Sequence, residues 1–242
     1  MSVDVLAIGA HPDDVDLGIG GLMCKLAASG LRTAILDLTR GEMGTRGTVE
    51  ERLAEAKEAA ARLGVPVREN AGLPDGRLEN SYEQRVALVP FVRSFRPRVI
   101  LAPMTPDRHP DHCAAHDLAR DGNFMAGLAR IETGHEPWRA PKLYYYSPYH
   151  DLAEAPAFVV DVSEQFETKV EALKAFASQF YNPDYDGQPT LIASESFWHS
   201  IRTRAAYWGN RVGVAYGEPI YTLEPVGLTL LPEFTSVNPA GM

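Results

Sequence analysis

Cysteine is nearly absent from the chain: Cys24 and Cys113 are the only two in 242 residues. That excludes a disulfide framework and fits a reducing compartment. Long apolar runs are missing as well, since no stretch approaches the roughly 18 residues that a membrane span needs. The N-terminus passes straight into Val3-Asp4-Val5-Leu6-Ala7-Ile8-Gly9, without the basic region of a signal peptide. A cytoplasmic protein is expected. Positive charge is scarce, with 23 Lys and Arg against 32 Asp and Glu and a net charge of −9. Nucleic acid and anionic membrane need clustered cations, so neither is expected as a partner. A small anionic substrate stays open, because the field inside a site can differ from the net charge. Repeats, low-complexity tracts and convincing linkers are also lacking. One domain over residues 1–242 is expected, and a hydrophobic content of 45% is ordinary for such a core.

What is present reads as alternating strands and helices. Val5 to Gly9 and Val99 to Ala102 are short apolar runs suited to buried parallel strands, and Thr33 to Leu38 is a third. Gly18 to Ala28 reads as a helix. A Gly-rich polar loop covers Arg40 to Gly47, and Thr48 with Glu51 three residues later makes a capping box. Behind it Val49, Leu53, Ala56, Ala60 and Leu63 share one helical face, which Gly64 ends. Val65 to Arg68 reads as a short strand and Pro74-Asp75-Gly76 as a turn. Tyr82 to Phe95 has a helical pattern in which Pro90 marks a kink or a break. A long helix follows His109, with Pro110 at its first position. Later come strands at Leu143 to Tyr146 and Phe158 to Val162, and helices at Ser163 to Ala177 and Ile192 to Trp208. A Pro/Asp/Gly loop, Asn182 to Pro189, is a candidate lid. The pattern predicts an α/β fold, a Rossmann-like open, mostly parallel sheet with helices on both faces.

The chemistry concentrates in two clusters. His11-Pro12-Asp13-Asp14 follows the first strand directly, and strand carboxyl ends are where ligands bind in open α/β sheets. His109-Pro110-Asp111-His112 lies a few residues after the strand ending near Ala102, with two His three apart at a helix start. Imidazoles, a carboxylate ligand and a spare carboxylate are the ingredients of a hydrolytic metal site. Gly18-Ile19-Gly20-Gly21 invites a dinucleotide-fingerprint reading, but His11 and three Asp stand between the strand and the glycines, where they would repel a pyrophosphate.

Ala10-His11-Pro12-Asp13-Asp14, with His109-Pro110-Asp111-His112 about a hundred residues later, resembles the LmbE/PIG-L family of zinc-dependent N-acetylglucosamine deacetylases. Gly41 to Thr48, Leu73-Pro74-Asp75-Gly76, Asp107 to His112, Ser178-Gln179-Phe180-Tyr181 and Tyr216-Gly217-Glu218-Pro219 resemble its bacillithiol-biosynthesis branch. The resemblance implies His11, Asp14 and His112 as ligands of Zn²⁺, a donor set that equally suits Fe²⁺. It implies Asp13 as general base and His109 as proton donor or oxyanion stabiliser, with Asp111 orienting the His109 imidazole. Arg52 corresponds to a ligand-contacting arginine of relatives. Arg46 and Thr45, beside the Gly-rich loop, join Arg52 as expected substrate-binding residues, with N-acetylglucosaminyl-malate as the implied substrate. Its malate carboxylates would suit the two arginines. The resemblance also leaves a homo-oligomer open.

Several readings compete. His116 lies four residues after His112, the spacing of paired zinc ligands on a helix. His109 and His112 are preferred because they sit nearer the strand end and match the family. Some relatives carry a lid tyrosine that steadies the oxyanion. Here Phe197 falls at that position and has no hydroxyl, so His109 with the metal, or Tyr145 or His199, must serve instead. The substrate alternatives are another small N-acetylglucosamine conjugate, a mycothiol precursor or a chitooligosaccharide. Two His and one carboxylate also form the facial triad of non-haem Fe(II) oxygenases. The spare Asp13 favours hydrolysis.

Overall fold

Alternate residues of the first strand pack to opposite faces, and this period of two organises the whole molecule. The computed structural model describes residues 2–228 apart from 149, 151 and 153. Five parallel strands form the central sheet: β1 (Val5–Gly9), β2 (Thr33–Asp37), β3 (Val67–Asn70), β4 (Val99–Pro103) and β5 (Lys142–Tyr146). Their order is β3-β2-β1-β4-β5. Leu6 and Ile8 of β1 join a core with α3 (Tyr82–Phe95) and α4 (Pro110–Ala126). Val5 and Ala7 face the other way, into a core with α1 (Asp14–Ala28), α2 (Val49–Leu63), α5 (Phe166–Leu173) and α6 (Glu195–Arg211). Helices therefore cover both faces, as expected. No helix among the described residues is long and apolar enough to cross a membrane.

Strand order reverses at β1. The chain moves outward through β2 and β3, then crosses to the far side of β1 for β4. Loops leaving the carboxyl ends of β1 and β4 must diverge there, which opens a crevice at the topological switch point. Both His/Asp clusters leave from those two strand ends.

The start of α2 is built as the sequence predicts: the Thr48 side chain accepts from the Glu51 amide, the Glu51 carboxylate accepts from the Thr48 amide, and Gly64 ends the helix in the left-handed region. Elsewhere the boundaries differ. Strand β3 begins two residues later than expected, α5 is shorter and α6 runs further, to Arg211. Pro90 lies inside an uninterrupted α3.

The larger departure concerns α1, which starts at Asp14 rather than Gly18 and carries a non-helical residue, Ile19. That irregularity frees the amides of Gly21 and Leu22, which donate to the Glu218 carboxylate at 3.0 and 2.7 Å. Glu218 sits on a strand the sequence pattern did not predict, β7 (Gly217–Ile220), antiparallel to β6 (Phe158–Asp161) in a separate two-stranded sheet. Buried Lys169 completes the arrangement, 2.7 Å from the same carboxylate. At Gly18 the helix touches the sheet so closely that a Cβ would fall 2.4 Å from the Tyr146 ring. These glycines serve packing, in keeping with the rejection of a nucleotide fingerprint.

Candidate active site

His11 and Asp13 occupy the turn between β1 and α1 and Asp14 opens the helix, where the His11 amide donates to the Asp14 carboxylate at 2.8 Å. Asp14 then faces two imidazoles: its Oδ2 lies 3.4 Å from His11 Nδ1 and its Oδ1 3.1 Å from His112 Nε2. All three are buried, His112 with 2% of its surface exposed. His11, His109 and His112 bring ring nitrogens within 4.8 Å of one another. The histidine expected to be the rival ligand lies elsewhere: His116 stacks on Tyr145 at 4.3 Å, and its Nδ1 meets the Pro103 carbonyl at 3.1 Å.

Each buried imidazole has a second carboxylate behind it. Asp107 Oδ2 is 3.0 Å from His112 Nδ1, and Asp75 Oδ1 is 3.1 Å from His11 Nε2. Such backing fixes tautomer and orientation in metal-ligating histidines. The electrostatics are those of a cation site. Burial opposes charge on His11 and His112, yet the surrounding carboxylates lift His11 well above its ordinary value and His112 to about 10. Burial likewise raises the carboxylates, but the two imidazoles hold Asp14 well below its usual range, and His11 with the Met43 amide lowers Asp75 to about 2. The surrounding carboxylates thus favour positive charge at this point. A divalent cation with nitrogen and oxygen ligands fits the same place.

Asp13 is the exception. Burial pushes its carboxyl up to about 7, against the pull of Arg52, whose Nη2 lies 3.5 Å from Oδ2. Arg52 also donates to the Gly41 carbonyl at 2.9 Å. Gly41 has a φ of +69°, and a Cβ there would collide with the guanidinium, so only glycine lets Arg52 take this position.

These groups open into a cleft of about 480 Å³, lined also by Thr45, Arg46, Arg52, Arg108 and His109. Thr45 is exposed on its wall. Two expectations change at this point. The Asp111 carboxylate turns away from His109: it accepts from the Gly76 and Leu78 amides at 2.7 and 3.3 Å and lies 3.4 Å from His11 Nε2. His109 is met by the backbone of Asp111 instead, whose amide donates to Nδ1 at 3.2 Å. The cause is that His109 is the N-cap of α4, so its ring satisfies a helix-end amide. Arg46 is likewise committed, donating to the Ser178 and Gln188 carbonyls and lying 4.7 Å over the Tyr185 ring. It ties the 178–188 segment down and has fewer donors left for substrate.

A family model described as PIG-L, GlcNAc-PI de-N-acetylase, matches residues 6–122, which hold both clusters. The diacetylchitobiose deacetylase of Thermococcus kodakarensis is 31% identical over 244 residues, covering 94% of this chain and 86% of that protein. The chain belongs to the PIG-L/LmbE deacetylase family. Another relative in this family, the 1D-myo-inositol 2-acetamido-2-deoxy-alpha-D-glucopyranoside deacetylase of Thermomonospora curvata, is 31% identical over 67% of this chain and 66% of its own. Among solved structures, the conserved protein TT1542 of Thermus thermophilus superposes with a TM-score of 0.85 at 40% identity, covering 95% of this chain and 98% of that one. The N,N'-diacetylchitobiose deacetylase of Pyrococcus horikoshii gives 0.78 at 26%, covering 99% and 88%.

Against this family frame, the three residues considered for the missing lid tyrosine all lie outside the cleft. Phe197 packs in the core 6.4 Å from Phe180, Tyr145 pairs with His116, and His199 lines a separate groove between α5 and α6. Asp75, Asp107 and Arg108 have no role that their sequence positions alone announce. All three stand in motifs that carry the resemblance, and the signal of the two carboxylates is their reach to a candidate ligand histidine.

Proposed function

We propose that this protein is a metal-dependent N-deacetylase that hydrolyses the acetamide of a small N-acetylglucosamine conjugate, N-acetylglucosaminyl-malate. One observation carries the class of reaction. A buried His/Asp cluster demanding positive charge adjoins Asp13, a carboxyl poised near about 7. His11, Asp14 and His112 would hold the ion, Zn²⁺ or Fe²⁺, with His109 beside them. Such an ion supplies Lewis acidity toward a carbonyl and brings the pKa of water to about 7.

The protein's own groups supply the remaining steps. Asp13, in its ionised form, takes a proton as water adds to the acetamide carbon. Burial and the two neighbouring imidazoles lower the His109 pKa, and Nδ1 is engaged by the Asp111 amide, so Nε2 is the nitrogen that carries the proton of the neutral ring. From there it donates a hydrogen bond to the tetrahedral oxygen, and the proton that Asp13 took from water passes to the departing amine. Acetate and a free glucosamine amine result. Arg52 holds Asp13 in place through its 3.5 Å contact.

The malate conjugate rests on the motif resemblance and on cationic groups at the cleft, of which Arg108 is exposed at the wall beside His109. The relatives favour a second reading, diacetylchitobiose, whose sugar has no carboxylates to use them. The test is primary-amine release from N-acetylglucosaminyl-malate, diacetylchitobiose and N-acetylglucosaminyl-inositol, with metal-free and Zn²⁺-loaded protein. Metal-dependent release with the highest kcat/KM on the malate conjugate is expected. A higher value on diacetylchitobiose would replace the substrate, and no release from any of them would end the deacetylase reading.

A further inference from the structure

Asp75 has a partner at each carboxylate oxygen and at its amide, and these partners belong to two different parts of the site. Its Oδ1 lies 3.1 Å from His11 Nε2. Its Oδ2 accepts from the Met43 amide at 2.8 Å, while its own amide donates to the Glu42 carboxylate at 3.0 Å. Asp75 and the loop at 42–43 thus clasp each other in both directions. The next residue, Gly76, is fixed in turn by the Asp111 carboxylate at 2.7 Å. Asp75 is buried, with its remaining exposure on the cleft.

The two halves of the carboxylate do different jobs. With Nε2 of His11 engaged by Asp75 at 3.1 Å, and at the longer distance of 3.4 Å by Asp111, the ring nitrogen left on the Asp14 side is Nδ1, which is the orientation a metal ligand at this place requires. The other oxygen holds Met43, and the loop continuing through Gly44 to Arg46 forms one wall of the cleft. A single rigid carboxylate therefore relates a metal-binding imidazole to the wall against which substrate rests.

We propose that Asp75 is a positioning residue that fixes the tautomer and direction of His11 and registers the 42–46 loop to the metal site. The proposal rests on the metal-dependent reading given above. Nothing in it requires Asp75 to touch substrate. It predicts that metal affinity and substrate affinity are separable at this one side chain. In Asp75→Asn the amide oxygen still accepts from His11 Nε2–H, but the Nδ2 group meets the Met43 amide donor to donor, so the loop half alone fails. In Asp75→Ala the loop half fails and His11 Nε2 keeps only the longer 3.4 Å approach of Asp111.

The experiment measures Co²⁺ affinity by competition with a chromophoric chelator, the visible absorption of the Co²⁺ protein, and KM and kcat on the best substrate. Wild type, Asp75→Asn and Asp75→Ala are compared, with far-UV circular dichroism of the metal-free proteins as the folding control. Asp75→Ala is expected to bind Co²⁺ about 10- to 100-fold more weakly, with an altered absorption band. Asp75→Asn is expected to stay within about fivefold of wild type in Co²⁺ affinity while its KM rises and its kcat changes less. Wild-type Co²⁺ affinity and spectrum in a folded Asp75→Ala would overturn the proposal, as would equal losses of Co²⁺ affinity in both variants. If Asp75→Ala does not fold, Asp75→Asn decides: an unchanged KM overturns the proposal. Failure of the wild-type protein itself to bind Co²⁺ would overturn the metal-dependent reading and this proposal with it.

Discussion

Asp13→Asn is expected to make the metal-free protein more stable at pH 8 while removing most of its activity. The free carboxyl belongs near 3.8, and burial in the fold raises it to about 7. The folded state therefore binds a proton that the unfolded state has released between those values. A raised carboxyl pKa means stability is greatest at low pH and declines as pH climbs toward 7, with the full cost present above it. The gap corresponds to about 4 kcal/mol as an upper figure. That value already contains the pull of the Arg52 guanidinium at 3.5 Å, and a buried asparagine amide keeps part of the desolvation cost, so a gain of roughly 1–4 kcal/mol is expected for the asparagine variant.

Urea denaturation of metal-free wild type and variant at pH 5 and pH 8 reads this out. The variant should gain on wild type at pH 8, with a smaller difference at pH 5. In the metal-loaded enzyme, loss of the proton acceptor should lower kcat about 10²- to 10⁴-fold. The acid limb of the wild-type kcat/KM profile, at or below about pH 7 because the ion's charge favours the ionised carboxylate, should be missing. A variant less stable than wild type at both pH values would refute the assignment of an unfavourable buried charge. Activity within tenfold of wild type would refute its role as base.

His112→Ala should abolish tight metal binding, because it removes a nitrogen lying 3.1 Å from Asp14 Oδ1, whereas His116→Ala should spare it. The latter variant should still lose about 1–3 kcal/mol of stability with the Tyr145 stack and the Pro103 hydrogen bond; chelator competition and urea midpoints distinguish the two, and the opposite pattern would exchange their roles. Glu218→Ala strands the buried Lys169 ammonium and two α1 amides, so a loss of about 3–5 kcal/mol is expected. A loss below about 1 kcal/mol would show that solvent reaches Lys169 and that α1 does not depend on this cap.

How much of this was legible in the sequence varies with the kind of interaction. The runs at Val5 and Val99 announced buried parallel strands because both of their faces are apolar. The capping box at Thr48 announced its helix because the bonds that make it are local. The β7 strand was illegible, since Gly217, Glu218 and Pro219 have poor strand preferences. The purpose of that strand is tertiary: it carries Glu218 to the interrupted turn of α1, almost two hundred residues away. For the same reason the sequence pattern places the start of α1 too late, because its glycines and the cap that makes them tolerable are far apart in sequence. In the site, residue types were readable but partners were not. Asp111 and Arg46 carry the expected charges, yet their hydrogen bonds go to backbone groups of other loops. Asp75, in a Pro-Asp-Gly turn, carries the composition of an exposed loop; only the fold brings that turn against His11.

Asp13 and Asp14 show how little of a role resides in the residue itself. They are neighbours in sequence, both buried, and chemically identical, yet the fold drives their acidities in opposite directions. Asp14 points between two imidazoles and is held ionised, as a ligand must be. Asp13 meets one guanidinium at 3.5 Å and otherwise suffers its burial, which leaves it able to accept and release a proton near neutrality. A pair of carboxyls whose environments separate their acidities is the usual basis for dividing roles in acid–base chemistry. Exchanging their surroundings would exchange their functions. Gly41 is part of those surroundings, because a side chain there would displace Arg52 and leave Asp13 buried without its counter-charge. The Gly-rich loop thus sets the acid–base balance of the site from outside the two His/Asp motifs.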